Sequence, residues 1–152
     1  MSLRIHRRIA AALLAFAAGI AQAESARDFL GRFEQDARAR TAGFSASPAR
    51  GADFFKTPHG NDWSCSTCHG DNPAAAGRHT RTGKAIEPLA PAANARRFSE
   101  AGKVDKWFKR NCNDVVGRAC TPAEKAHLLA YLIPIARCGG CHDTHTPFHR
   151  PA

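Results

Sequence analysis

Apolar residues recur at helical spacing in four stretches of the chain, each with its own start signal. Ser25, with Asp28 three residues on, resembles a capping box that opens a helix over 26–40, with Phe29 and Phe33 on one face. Residues 41–46 read as a linker. Ser47 as cap and Pro48 in the first turn start a second helix that reaches 55, and its Gly51 shares a face with Phe55, where a glycine permits close helix crossing. Ser99 caps a third predicted helix, 99–112, whose apolar positions are Val104, Trp107 and Phe108. Asn111 lies seven, four and three residues after them, which puts an amide on the buried stripe. By position alone, an asparagine near a helix C-terminus is usually a cap. The fourth helix has Thr121 as cap, Pro122 at its first position and Glu124 to complete a capping box. Leu128, Leu129, Leu132 and Ile133 form its buried face, and Pro134 ends it.

Between 70 and 95 the chain is rich in Gly, Pro and Ala without sustained periodicity, which predicts loop. No alternating run is present, so the predicted fold is all-α with long loops. The N-terminus has a different character: Arg4, Arg7 and Arg8 precede an apolar run over 9–20 and then Ala21-Gln22-Ala23, the pattern of a secretory leader with its cleavage site. That run is shorter than the roughly 20 residues of a bilayer-spanning helix, so the leader is read as removed and the product as periplasmic. An uncleaved anchor is the alternative, and an N-terminal mass separates the two. No later stretch approaches a membrane span. The expected organisation is a leader over 1–23, an N-terminal helix and linker over 24–46, a main domain over 47–134 and a C-terminal tail over 135–152.

The formal net charge is +9, and three of the 22 basic residues belong to the leader. The others are scattered rather than clustered, which argues against nucleic acid and for a solvated surface that steers an acidic partner. Six cysteines stand at 65, 68, 112, 120, 138 and 141, and an exported chain meets an oxidising compartment, so none is expected to remain a free thiol.

Cys65-Ser66-Thr67-Cys68-His69 and Cys138-Gly139-Gly140-Cys141-His142 each carry the Cys-x-x-Cys-His pattern of haem c attachment. Two thiols a short turn apart can add to the two vinyl groups of one porphyrin, while the adjacent imidazole, His69 or His142, reaches the iron. A four-cysteine zinc knot or disulfides are the alternatives, but they leave unexplained a histidine directly after both pairs. The second pattern lies in a tail with little apolar material, where a disulfide is the main competitor. Arg81 and Lys84, within the long loop, either pair with haem propionates or are simply solvated. The only methionine is Met1, inside the leader, so the mature protein cannot ligate iron through a thioether, and low reduction potentials are expected.

From Ser64 through Leu132 the chain resembles the SHP-type cytochromes c, small class I-like haem proteins with an asparagine ligand in the oxidised state. The resemblance rests on Cys65-Ser-Thr-Cys-His-Gly, Arg81-Thr-Gly-Lys84 with Ile86, Pro88-Leu-Ala-Pro91, and Arg97-Phe98. It continues through Lys106-Trp107, Arg110-Asn111-Cys112-Asn113, Gly117-Arg118, Cys120-Thr121-Pro122, Glu124-Lys125-Ala126 and Leu128-Leu129-Ala130. It implies a class I cytochrome c-like domain, iron ligation by Asn111 and a disulfide between Cys112 and Cys120. It further implies an electron carrier fed by a membrane cytochrome b and a dihaem cytochrome c. The second motif departs from the family, whose members usually hold one haem; His145 is a candidate sixth ligand there, with His149, His59 and His79 as competitors and a solvated histidine the plainer reading of each.

An amide oxygen is a hard donor that suits ferric better than ferrous iron, so Asn111 is expected to let go on reduction and admit O2 or NO. Trp107 and Phe108 are expected to pack that pocket. The competing function is a small haem enzyme that reduces oxygen, nitric oxide or peroxide. No distal base with a supporting arginine is recognisable by spacing, so no catalytic residue is assigned.

Overall fold

Ser25 opens the first helix as its spacing implies. Its hydroxyl accepts the Asp28 N–H at 3.3 Å, and the Asp28 carboxylate accepts the Ser25 N–H at 2.8 Å. These bonds start α1, Ala26–Arg38; the Ser25 hydroxyl first, then its N–H, both donating to the Asp28 carboxylate, hold that carboxyl below its ordinary range. The computed structural model describes residues 24–136. Residues 1–23, read as a leader, and the second motif, with Cys138, Cys141 and His142, lie outside the described residues, as do His145 and His149. After α1 come α2, Pro48–Lys56, and α3, Cys65–His69. A minimal hairpin of β1, Gly77–Arg78, and β2, Ala85–Ile86, precedes α4, Ala101–Val116, and α5, Pro122–Leu132.

Three expectations need correction. The first helix ends at Arg38, because the N–H groups of Arg40 and Thr41 both turn back to the Ala37 carbonyl and tighten the last turn. Two strands exist where none was predicted: two residues each are too few to display alternation, and the pair is closed by His79 N–H to Lys84 O at 2.8 Å. The third correction concerns α4. Ser99 does not cap it, since its hydroxyl donates to the Arg96 carbonyl at 3.0 Å. The N-cap is Glu100, without a side-chain bond, and the Ala101 N–H instead donates to the Glu24 carboxylate at 2.9 Å. A residue 77 positions away thus supplies the acceptor and the negative charge that a helix N-terminus favours.

One core holds the helices. Phe29 and Phe33 of α1, Phe55 of α2, Phe108 of α4 and Leu129 and Leu132 of α5 belong to a single buried cluster. Each side chain of this size contributes about 1.5–3 kcal/mol on burial. Helices of this length are marginal alone and stand because of such stripes. α2 crosses α5 closely at Gly51, where a Cβ would meet the backbone of His127 and sit 2.8 Å from Tyr131 Cβ. The helix-crossing role read for this glycine is the one it has.

At the end of α4, Gly117 adopts a left-handed conformation, φ 77°, and the chain turns back into α5. Cys112 and Cys120 are disulfide-bonded across this turn, with Cα atoms 5.5 Å apart. Closing a loop with a sequence separation of 8 stabilises by about 2–3 kcal/mol in the loop-entropy model.

Candidate functional site

Ser64 and Thr67 build the start of the site. The Ser64 hydroxyl accepts the Thr67 N–H at 3.1 Å and the Thr67 hydroxyl accepts the Ser64 N–H at 2.9 Å, a capping box that winds residues 65–69 into one turn. Gly70, with φ 69°, ends it. This turn was not foreseen as a helix, because its signal is local capping rather than apolar period. It sets Cys65 and Cys68 three residues apart, with Cys65 and His69 one above the other on the same face.

The hairpin packs tightly against this turn. A Cβ on Gly77 would meet the Cys68 carbonyl oxygen and sit 2.9 Å from His69 Cα, so only glycine fits. The Cys68 sulfur and the Thr80 hydroxyl are 3.2 Å apart. Burial pushes the Cys65 thiol up to about 11, and a sulfur in a thioether, which bears no charge, suits such a place. Burial and, second, the nearby Arg97 charge hold His69 down to about 4, leaving the neutral imidazole whose lone pair a metal requires.

A cavity of about 740 Å³ lies between this turn and α4. Cys65, Cys68 and His69 line it together with Asn111, Trp107 and Phe108. Its size falls in the range of about 300–1,000 Å³ typical of small-molecule and cofactor sites, and core residues such as Val104, Leu128 and Leu132 give it apolar walls. The donor set and the walls fit a haem attached to the turn.

Asn111 is not where the helical pattern put it. The buried stripe of α4 is Val104, Phe108 and Cys112, spaced by four, whereas Asn111 is exposed and Trp107 is 44% exposed. Those two sit on the adjacent row, which borders the cavity. Nor is Asn111 a cap: α4 continues to Val116 and Gly117 closes it. An asparagine inside a helix is a poor helix former, so its place there is not explained by the helix itself.

Arg81 and Lys84 are not among the lining residues. The Arg81 guanidinium lies 5.7 Å over the Trp63 ring, and both Arg81 and Lys84 are exposed. Arg97, singled out in the sequence only as part of a motif, does line the cavity; a lone cation in a loop without periodicity carries no signal of burial.

Known proteins resemble this chain in sequence and fold. A family model described as a domain of unknown function, DUF1924, matches residues 41–132. The cytochrome c-type protein SHP of Cereibacter sphaeroides is 53% identical over 95 residues, which cover 60% of this chain and 73% of that protein. The chain belongs to the SHP and cytochrome c'' family. Cytochrome c'' of Methylophilus methylotrophus is 48% identical over 79 residues, 52% of this chain and 55% of that protein, so the match spans little more than half of that relative. The solved structure of oxidised SHP, described as an oxygen-binding cytochrome c, superposes with a TM-score of 0.65 at 42% identity, covering 73% of this chain and 97% of that one. The fold class is therefore all-α and class I cytochrome c-like, and cytochromes c of this family imply covalently bound haem c.

Proposed function

We propose that the chain is a periplasmic electron-transfer cytochrome, with one haem c bound through Cys65 and Cys68, ligated by His69, and closed in the ferric state by Asn111. The observation that carries this reading is the cavity shared by those four residues, with Asn111 at an interior helix position that neither core packing nor capping accounts for. When bound, the haem would supply a one-electron couple and a coordination site for a diatomic ligand. The chain's own residues do the rest. His69 offers a neutral imidazole, Cys65 and Cys68 fix the macrocycle to α3, and apolar residues shared with the core exclude water from it. The Asn111 amide would supply a hard oxygen donor that suits ferric better than ferrous iron, and a hydrogen-bond donor for O2 or NO when it does not hold the metal. That the oxidised relative is described as an oxygen-binding cytochrome c supports this part of the reading.

The reading extends to the segments outside the described residues: residues 1–23 direct export, and Cys138, Cys141 and His142 attach a second haem that exchanges electrons with the first. A dihaem cytochrome c and a membrane cytochrome b are the proposed redox partners. No helix among the described residues is long and apolar enough to cross a membrane.

Two measurements on protein matured in a host that attaches haem c test the proposal. Intact mass reads the number of attached haems: two are expected, one for a Cys138→Ala, Cys141→Ala variant, and a colourless product overturns the reading. Asn111→Ala is expected to convert the ferric spectrum from six- to five-coordinate and leave the ferrous spectrum unchanged. Unaltered ferric spectra would remove Asn111 from the iron.

A further inference from the structure

Four cations line the cavity, and three of them are already paired. Arg96 meets Glu87 at 2.8 Å, Lys103 meets Glu100 at 2.6 Å, and Arg110 lies 3.7 Å from Asp114. Arg97 is the exception: among the described residues no carboxylate lies within ion-pairing distance of it. The Glu87 carboxylate, its nearest candidate in sequence, is taken by Arg96 and by the Asn94 amide at 3.1 Å.

Arg97 is nonetheless held firmly. Its Nε donates to the Pro88 carbonyl at 3.0 Å and its Nη2 to the Glu87 carbonyl at 2.9 Å. A guanidinium has five N–H groups, so these two bonds fix its plane and leave donors over. The following residue carries a backbone cost: Phe98 has φ 55°, a left-handed conformation that a bulky residue rarely adopts. A partly buried cation is disfavoured unless an anion answers it, and burial pushes the Arg97 pKa down by more than the Glu87 charge raises it. A turn with a left-handed residue that holds a partly buried guanidinium without an ion-pair partner at a cofactor cavity is the arrangement of an anion-binding group.

We propose that Arg97 is the propionate-binding residue of the haem site, its free guanidinium donors answering a carboxylate of the bound porphyrin. This rests on the haem reading above. It assigns to Arg97 the part that the sequence suggested for Arg81 and Lys84, both exposed and neither lining the cavity. The planar fork of arginine matches a carboxylate with two parallel bonds, which a lysine cannot reproduce.

The test uses the haem-loaded full chain with Arg97→Gln and Arg97→Lys, each checked for attached haem by intact mass. Midpoint potentials come from spectroelectrochemistry and the propionate bending band from resonance Raman. Arg97→Gln removes a positive charge that disfavours ferric iron, so its midpoint potential is expected to fall, with the propionate band displaced. Arg97→Lys keeps the charge and loses the fork, so the band moves while the potential stays near that of the parent. A role confined to bracing the loop would lower Tm in both variants and move neither readout. Haem-loaded variants with the parent's propionate band would overturn the proposal; if Arg97→Gln fails to mature, the Arg97→Lys band decides alone. Absence of haem from the parent protein would instead refute the reading on which the proposal rests.

Discussion

Replacing Gly51 by alanine is a one-methyl change whose sign depends on the contact between α2 and α5. In an ordinary helix interior the exchange stabilises, because alanine is the better helix former by about 1 kcal/mol. At Gly51 the new Cβ would lie 2.6 Å from the His127 carbonyl carbon and 2.8 Å from Tyr131 Cβ. The first obstacle is backbone, so no rotamer change relieves it and the two helices must separate. Overpacking of this kind costs about 1–3 kcal/mol, and a backbone obstacle places it near the upper end. Set against the propensity gain, the net loss is about 2 kcal/mol, which for a domain of this size lowers Tm by about 8–12 °C. Gly31 supplies the control: it is exposed in α1, and an added Cβ would meet nothing within 4 Å, so Gly31→Ala should stabilise by about 0.5–1 kcal/mol. Thermal and urea unfolding of the two haem-loaded variants, followed by far-ultraviolet circular dichroism, read the difference. A Gly51→Ala protein that melts at or above the parent would refute the packing argument.

Two further predictions concern elements that brace the site. The His127 Nδ1 accepts the Ser47 N–H at 2.9 Å at the start of α2, and burial first, then the Arg50 charge, hold its imidazole below the ordinary value. Because the folded value is depressed, the unfolded chain takes up a proton that the native state refuses once pH drops below about 6.5, so this stability is whole above that pH and declines beneath it. His127→Leu should flatten that part of the stability–pH curve and cost about 1–3 kcal/mol at neutral pH through the stranded Ser47 N–H; urea titrations across pH 5–8 with an unchanged slope would contradict the assignment. Replacing Cys112 and Cys120 together by alanine should cost about 2–3 kcal/mol and broaden the ferric spectrum, since the bond anchors α4 one residue beyond Asn111; denaturant midpoints matching those of the parent would show that the turn at Gly117 suffices.

Much of this protein is legible in its sequence. Capping pairs such as Ser25 with Asp28 and Thr121 with Glu124 act within three residues, so they can be read directly, and the helices they open lie within a few residues of expectation. The Cys65 to His69 pattern is equally plain, since covalent attachment demands fixed spacing. Ser99 misled because two acceptors competed for one role: its hydroxyl went to Arg96, and Glu24, distant in sequence, took the helix end.

The row on which Asn111 sits was a tertiary decision. A stripe at 104, 107, 108 and 111 and one at 104, 108 and 112 are both helical, and only packing against α1 and α5 selects the second for the core. The choice left Trp107 and Asn111 on the cavity. Arg97 belongs to the same class. By itself the sequence determined which short segments wind and where the pattern of porphyrin attachment stands, because both depend on neighbours within a turn. Which helix face borders the cavity, and which of its cations makes no ion pair, followed from contacts between residues far apart in the chain, where burial and pairing are set.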